Sequence, residues 1–140
     1  MIYGMGNQAS YRAETGSNRG LDATFAFDWS PGDVNRQNSQ ITPSLRYNGP
    51  IPSRPRDTVA FGFLYSNIGD PFQAIGVPLG SRLGSEEAIE LNYAAHLTSY
   101  FLIQPVFQYY KDVGGNSHVP NAAVFGFRTH VNFRSRSGAL

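Results

Sequence analysis

From Gly20 onward, six stretches of the chain put apolar side chains on odd positions and polar ones on even positions. Across 21–29, 41–47, 59–65, 89–97, 101–109 and 123–133, 26 of the 29 odd positions are apolar, the exceptions being Pro43, Pro105 and Thr129; of the 23 even positions between them, 7 are apolar. Successive side chains of a strand point to opposite faces, so a period of two this strict means strands between two environments. Helices and strands buried on both sides do not produce it. With one further stretch near the start, the pattern predicts seven strands, at 3–12, 20–29, 40–47, 57–66, 88–97, 101–110 and 122–133. Turn-forming clusters separate them: Thr15-Gly16-Ser17-Asn18, Ser30-Pro31-Gly32-Asp33, Asn48-Gly49-Pro50, Asn67-Ile68-Gly69-Asp70-Pro71 and Val113-Gly114-Gly115-Asn116.

Alternation alone fits either a membrane barrel or a soluble β-barrel or sandwich that binds a ligand and keeps its odd face as a dry core. The aromatics favour the membrane. If neighbouring strands are antiparallel, Trp29, Tyr65 and Tyr109 end the apolar face at one rim, and Tyr11, Tyr47, Phe101 and Phe133 end it at the other. Between them lie Phe25, Phe27, Phe61, Phe63, Ile89, Leu91 and Ile103, a grading that aromatic belts at both bilayer interfaces produce. Connections on the Trp29 rim are expected at 30–40, 67–85 and 111–121, and on the opposite rim at 13–19, 48–56 and 98–100. Outer-membrane barrels carry long extracellular loops and short periplasmic turns, so the Trp29 rim is expected outside and the last strand runs toward the periplasm.

Composition narrows the alternatives. In 140 residues there is no cysteine, so disulfides and Cys-ligated metal sites are excluded, and a net charge of +1 without a basic run gives no footprint for nucleic acid. Aromatics at 14%, with 15 Gly and 9 Pro, fit many short strands joined by turns. The apolar runs, such as Tyr100-Phe101-Leu102-Ile103, are far short of the roughly 18 residues of a transmembrane helix, which leaves a barrel open. Met1-Ile2-Tyr3-Gly4 has neither the charged start nor the apolar core of a signal peptide, so an exported chain of this sequence is expected to be a mature form or a fragment.

Six segments then resemble, in order, the C-terminal part of the carbohydrate-selective porin family (OprB type): Arg19-Gly20-Leu21, Gly49-Pro50-Ile51-Pro52 with Arg54-Pro55 and Asp57, Glu90-Leu91-Asn92-Tyr93, Gln104-Pro105 with Gln108-Tyr109, Gly114-Gly115, and Gly126-Phe127-Arg128. The resemblance runs from about residue 3 to residue 133. It implies an all-β, antiparallel up-and-down transmembrane barrel of sixteen strands, of which this chain supplies about seven. It further implies passive diffusion of glucose and other small sugars across a Gram-negative outer membrane. The expected division is residues 1–133 as barrel and 134–140 as an atypical tail, because family members end at or near a terminal aromatic and here Phe133 is followed by Arg134-Ser135-Arg136-Ser137-Gly138-Ala139-Leu140. That tail is expected to slow insertion, measurable as outer-membrane yield with and without truncation after Phe133. Partners are expected to be outer-membrane lipid, small neutral sugars and the missing N-terminal strands, since open sheet edges in lipid leave backbone groups unsatisfied. A third reading, an inactive truncated product, follows from the same missing strands.

The candidate chemistry is that of a pore lining, with no catalytic residue and no cofactor. The predicted sugar-contacting positions on the even face are Asp22, Asp28, Arg46, Glu90, Asn92, His96, Gln104, Gln108, Arg128 and His130, with Thr24, Thr42, Ser44 and Asn132 beside them. Neutral polyols exchange hydrogen bonds with mixed donors and acceptors, and charged groups such as Arg46, Glu90 and Arg128 strengthen and orient them. Each of these residues also has a plainer role, wetting the lumen and bracing its neighbours. The resemblance also implies a constriction set largely by a loop folded in from the N-terminal half of the family's barrel, which is absent here. His96, His118 and His130 lack metal-pair spacing. Asp22 and Asp28 stand roughly 20 Å apart on one strand, too far for a glycosidase pair. Glu86-Glu87 reads as a solvated strand start, and Gly114-Gly115 as a turn. Arg54 and Arg56, with Arg12 and Arg19 on the same rim, are expected either to meet anionic headgroups or periplasmic partners or to solvate turns.

Overall fold

A computed structural model describes residues 1–15, 17–75, 77–78 and 81–133, so the tail 134–140 lies outside the described residues. Its seven strands are β1 (Ile2–Arg12), β2 (Gly20–Trp29), β3 (Gln37–Asn48), β4 (Thr58–Ile68), β5 (Ser85–His96), β6 (Phe101–Lys111) and β7 (Ala122–Val131). They form one sheet in sequence order, each antiparallel to the next. All seven strands predicted from the alternation are present. Among the described residues no helix is long and apolar enough to cross a membrane.

Strand extents differ from expectation chiefly at the Trp29 rim. β3 begins at Gln37 instead of 40, β4 continues to Ile68, and β5 begins at Ser85 instead of 88. Of the added residues, Gln37, Asn38, Ser39, Asn67, Ser85, Glu86 and Glu87 are polar and Ile68 alone is apolar, so the alternation stops before backbone pairing does. An apolar–polar pattern reports what surrounds a strand, whereas pairing needs only a neighbouring backbone. The connections on this rim are therefore 30–36, 69–84 and 112–121, against 13–19, 49–57 and 97–100 on the other. The asymmetry rests on the last two long loops. The first of them is closed at its base by a backbone hydrogen bond from Ile68 N, at the end of β4, to Gly84 O (3.1 Å), and is tied to the second by one from Gly84 N to Gly115 O (2.7 Å).

The odd-numbered face carries an uncovered apolar skin. Phe25, Phe27, Trp29, Leu45, Phe61, Leu91, Phe125 and Phe127 are all exposed, while among the described residues the buried apolar side chains are only Ile68, Leu83, Ala94 and Val106. A soluble sandwich with the odd face as its dry core is therefore not what forms: nothing among the described residues covers that face, and a water-soluble monomer does not leave so much apolar surface open. The even face is the more sheltered. In β2 exposure alternates residue by residue from Phe25 to Trp29, with Ala26 and Asp28 half-buried between exposed aromatics.

β1 departs from the odd-face rule. A bulge between Ala9 and Tyr11 shifts its register, so Ile2, Gly4, Gly6 and Gln8 share the skin with Trp29, Phe27, Phe25 and Ala23, and Tyr11 rejoins it opposite Leu21. The Phe27 ring lies over Gly4, covering the backbone that glycine leaves bare. At the other side of the chain β7 pairs with β6 alone, as β1 pairs with β2 alone. In a seven-strand antiparallel set these two edges run in the same direction.

Candidate functional site

The register aligns the polar face into rows that cross the sheet. Gln108, Glu90, Gly62, Ser44, Thr24 and Asn7 form one row, and Val106, Asn92, Ala60, Arg46, Asp22 and Ala9 form the next. Cross-strand neighbours on one face stand about 4.5–5.5 Å apart, close enough for long polar side chains to join.

Five of the ten predicted lining residues join in one ladder. Glu90 Oε2 accepts from Gln108 Nε2 (2.6 Å) and Arg128 Nη2 (3.2 Å), and its Oε1 accepts from Asn92 Nδ2 (2.9 Å) and Arg128 Nη1 (3.4 Å). Gln104 Nε2 donates in turn to Asn92 Oδ1 (2.7 Å). Because an ionised carboxylate only accepts, Gln108 and Asn92 must turn their NH2 groups toward it. The carbonyl ends of Gln108 and Gln104 are left to face elsewhere as acceptors. Charge on Glu90 thus fixes the polarity of a strip spanning β5, β6 and β7, and the Glu90 side chain stays 28% exposed, open to water.

A second cluster collects at the rim opposite Trp29. Asp22 is 7% exposed, and its carboxylate takes Arg12 Nη2 (2.6 Å), Asn48 Nδ2 (2.7 Å) and Arg46 Nη2 (3.4 Å). The structure so unites Asp22 and Arg46, both predicted, with Arg12, whose role sequence reasoning left between headgroups and turns. The remaining predicted positions stand apart from both clusters. Asp28 pairs in register with Gln40 toward the Trp29 rim. His96 and His130 flank Leu102 in register and line a 270 Å³ opening with Tyr100, Gln104 and Asn132. Among the described residues no group of three His, Cys, Asp or Glu side chains is placed to hold a metal ion.

Among the described residues the most enclosed charge is Asp57, 1% exposed, which sequence reasoning passed over as a site. It ends the turn between β3 and β4. There it bonds Arg54 Nε, Tyr93 Oη (2.6 Å) and the backbone N–H of His96 (2.9 Å). Burial opposes its charge, but the bonds from Arg54, Tyr93 and His96 outweigh that and hold the carboxyl at about 2. The His96 imidazole is drawn the same way: its Nδ1 is buried without a hydrogen-bond partner, 3.9 Å from Asp57 Oδ1. Gly49 makes the turn possible. Its φ of 64° is a left-handed conformation, its N–H donates to Asp57 O (2.8 Å), and its carbonyl accepts from Arg19 Nε (2.9 Å). Arg12, Arg19 and Arg54 are therefore all engaged by partners within the chain. The sequence signal was available: an Arg three residues before an Asp, in a Pro-rich turn, immediately ahead of a strand. The two other acidic residues read as solvated also have partners, Glu86 accepting from Gly114 N (2.5 Å) and Glu87 pairing with Lys111 Nζ (3.2 Å).

Comparison with known proteins identifies this architecture. The family described as "Carbohydrate-selective porin, OprB family" matches residues 1–133. Porin B of Pseudomonas aeruginosa is 31% identical over 101 residues, covering 62% of this chain and 22% of that protein. The high-pH structure of Pseudomonas putida OprB superposes with a TM-score of 0.83 at 24% identity, covering 94% of this chain and 34% of that one. The chain thus spans about a fifth of the curated relative and a third of the solved structure. The superposition establishes a shared fold, a section of porin barrel wall, and the family match goes further: the chain belongs to the carbohydrate-selective porin family.

Proposed function

We propose that this chain forms one wall of a water-filled channel in the outer membrane of a Gram-negative cell, through which glucose and other small neutral sugars diffuse passively. In this reading the odd face meets lipid and the rim of long loops faces outward. Asp22, Asp28, Arg46, Glu90, Asn92, His96, Gln104, Gln108, Arg128 and His130 line the water. The observation that carries it is the pairing of opposites on one sheet in a carbohydrate-selective porin family member: an uncovered aromatic skin on one side and the Glu90 ladder on the other. Acceptors whose direction is fixed by a buttressed carboxylate suit hydroxyl donors, and the mixed charge of the strip gives no preference for ions of one sign. Transport here needs no catalytic group and no cofactor.

The wall needs a complement. Each unpaired backbone group of β1 or β7 exposed to lipid costs several kcal/mol. Since β1 and β7 run the same way, closure by antiparallel pairs alone requires an odd number of further strands, and nine would give the sixteen that the family resemblance implies. The test is liposome swelling with the complete barrel that contains this chain. Isotonic glucose should enter at a rate proportional to channel number, and a barrel that passes ions while excluding glucose would overturn the proposal.

A further inference from the structure

His96 closes β5 and His130 stands near the end of β7, at the rim opposite Trp29. They are far apart in sequence, but the register sets them on either side of Leu102 on the polar face. Two strand spacings, about 10 Å, separate their backbones. Two imidazoles leaning over Leu102, each extended by a metal–nitrogen bond of about 2.1 Å, span that distance. Gln104, the next polar-face residue along β6, lines the same 270 Å³ opening. The groups behind these side chains are already arranged for such a role. The backbone N–H of His96 donates to Asp57 Oδ1, which places Asp57 on the β4 side of β5. The His96 Nδ1 is turned to the same carboxylate, buried without a hydrogen-bond partner 3.9 Å from Asp57 Oδ1. Nε2, at the far edge of the ring, is therefore turned toward β6 and β7, where His96 lines the opening. A metal ion on Nε2 confines the ring proton to Nδ1, and a small rotation then lets Nδ1 donate to Asp57. Carboxylates stand in this way behind many histidines that ligate metals, fixing tautomer and orientation. Gln104 is set in a comparable manner: its NH2 donates to Asn92 Oδ1 (2.7 Å), which leaves its carbonyl oxygen to accept elsewhere. His130 is exposed and can turn toward an ion held by the other two.

We propose that His96, His130 and Gln104 bind one divalent transition-metal ion of the zinc class at this rim of the wall. Two neutral imidazoles and a carbonyl oxygen supply three corners of a tetrahedron, and water the fourth. Imidazole nitrogen suits zinc, copper and nickel, whereas magnesium and calcium take sets of oxygen ligands, so these donors select against the hard cations. The third ligand is an amide, which is why the site does not contain three His, Cys, Asp or Glu side chains. The inference stands on the geometry of the barrel wall and holds whatever solute the channel passes.

The experiment is isothermal titration calorimetry of the complete folded barrel in detergent, with zinc chloride as probe. Zinc should bind with a Kd in the micromolar range, and magnesium chloride should give no comparable heat. His96→Ala and His130→Ala each remove a ligand and should raise that Kd by about tenfold or more. A folding defect in one of them leaves the other informative. His130→Glu replaces the imidazole with a carboxylate of similar reach and should keep the Kd near that of the parent, which a merely structural histidine would not predict. His118→Ala removes the histidine of the loop after β6 and should leave the Kd unchanged. A parent barrel that binds no zinc, or a Kd that neither His96→Ala nor His130→Ala moves, overturns the site. A Kd that rises in His118→Ala as much as in those two also overturns it.

Discussion

Two carboxylates, one in the turn before β4 and one on β5, use the same kinds of partner to opposite ends. Asp57 and Glu90 each take an arginine and neighbouring uncharged donors, yet Asp57 is 1% exposed at the rim while the Glu90 side chain keeps 28% of its surface open on the polar face. The donors around Asp57 come from three places, the turn before β4, the side chain of Tyr93 and the backbone of His96, so the bonds tie together parts of the chain far apart in sequence. Those around Glu90 are side chains already held in adjacent strands by the backbone ladder, so they need no further tying. Enclosure by distant segments makes a charge structural. The same ligands spread along a face that backbone pairing has already built make a surface whose polarity is set and whose outer atoms are free.

The comparison is broken most forcefully at Asp57. Replacing it by Asn removes the charge that pairs with Arg54 and turns one of the two accepting oxygens into an NH2 donor, so the bonds from Arg54, the Tyr93 hydroxyl and the His96 N–H cannot all be kept, and removing one partner of an enclosed ion pair costs about 3 kcal/mol or more. Thermal unfolding of the complete barrel in detergent, followed by the loss of its folded gel mobility, should shift down clearly for Asp57→Asn. Glucose flux per folded channel should remain. The pH dependence has a definite sign. The carboxyl is held at about 2, below its ordinary 3.8, so its stabilisation is fully present above about pH 4 and is lost as pH falls toward 2. The parent barrel should lose thermal stability across that window and Asp57→Asn should lose less. Equal losses in both would show that the rim charge does not anchor the turn.

Much of this arrangement is legible in the sequence, and the parts that are not share a cause. Alternation marks β2 to β7 because opposite surroundings on the two faces impose a period of two, and the five residues of the ladder fall out of the same count as even positions on β5, β6 and β7. Three things do not alternate. Strand ends such as Gln37–Ser39 and Ser85–Glu87 are paired by backbone outside the apolar zone, where polarity no longer tracks register. β1 changes parity at its bulge, and its skin-facing Gly4, Gly6 and Gln8 give no apolar signal. Asp57 lies in a turn, and its partners Tyr93 and His96 are 36 and 39 residues away, so the sequence leaves Arg54 and its neighbours between headgroup contact and turn solvation.

Glu90 sharpens the comparison with a smaller effect on the fold and a larger one on passage. Glu90→Gln keeps the shape of the side chain but offers a donor as well as an acceptor, so Gln108 and Asn92 are no longer compelled to turn their NH2 groups inward. The strip then presents donors and acceptors in mixed order, and Arg128 loses the carboxylate that neutralises it at 3.2 Å. An ion pair this exposed contributes about 1 kcal/mol or less, so the thermal transition should barely move, in contrast to Asp57→Asn. Glucose entry into liposomes should fall by about threefold to tenfold, and the unpaired guanidinium should make the pore favour anions. The reversal potential in a potassium chloride gradient reads that change directly and is indifferent to how much protein has folded. A Glu90→Gln barrel that melts early while keeping its sugar flux and ion preference would reverse the assignment, making Glu90 a brace like Asp57 and leaving the selectivity of the wall to residues elsewhere.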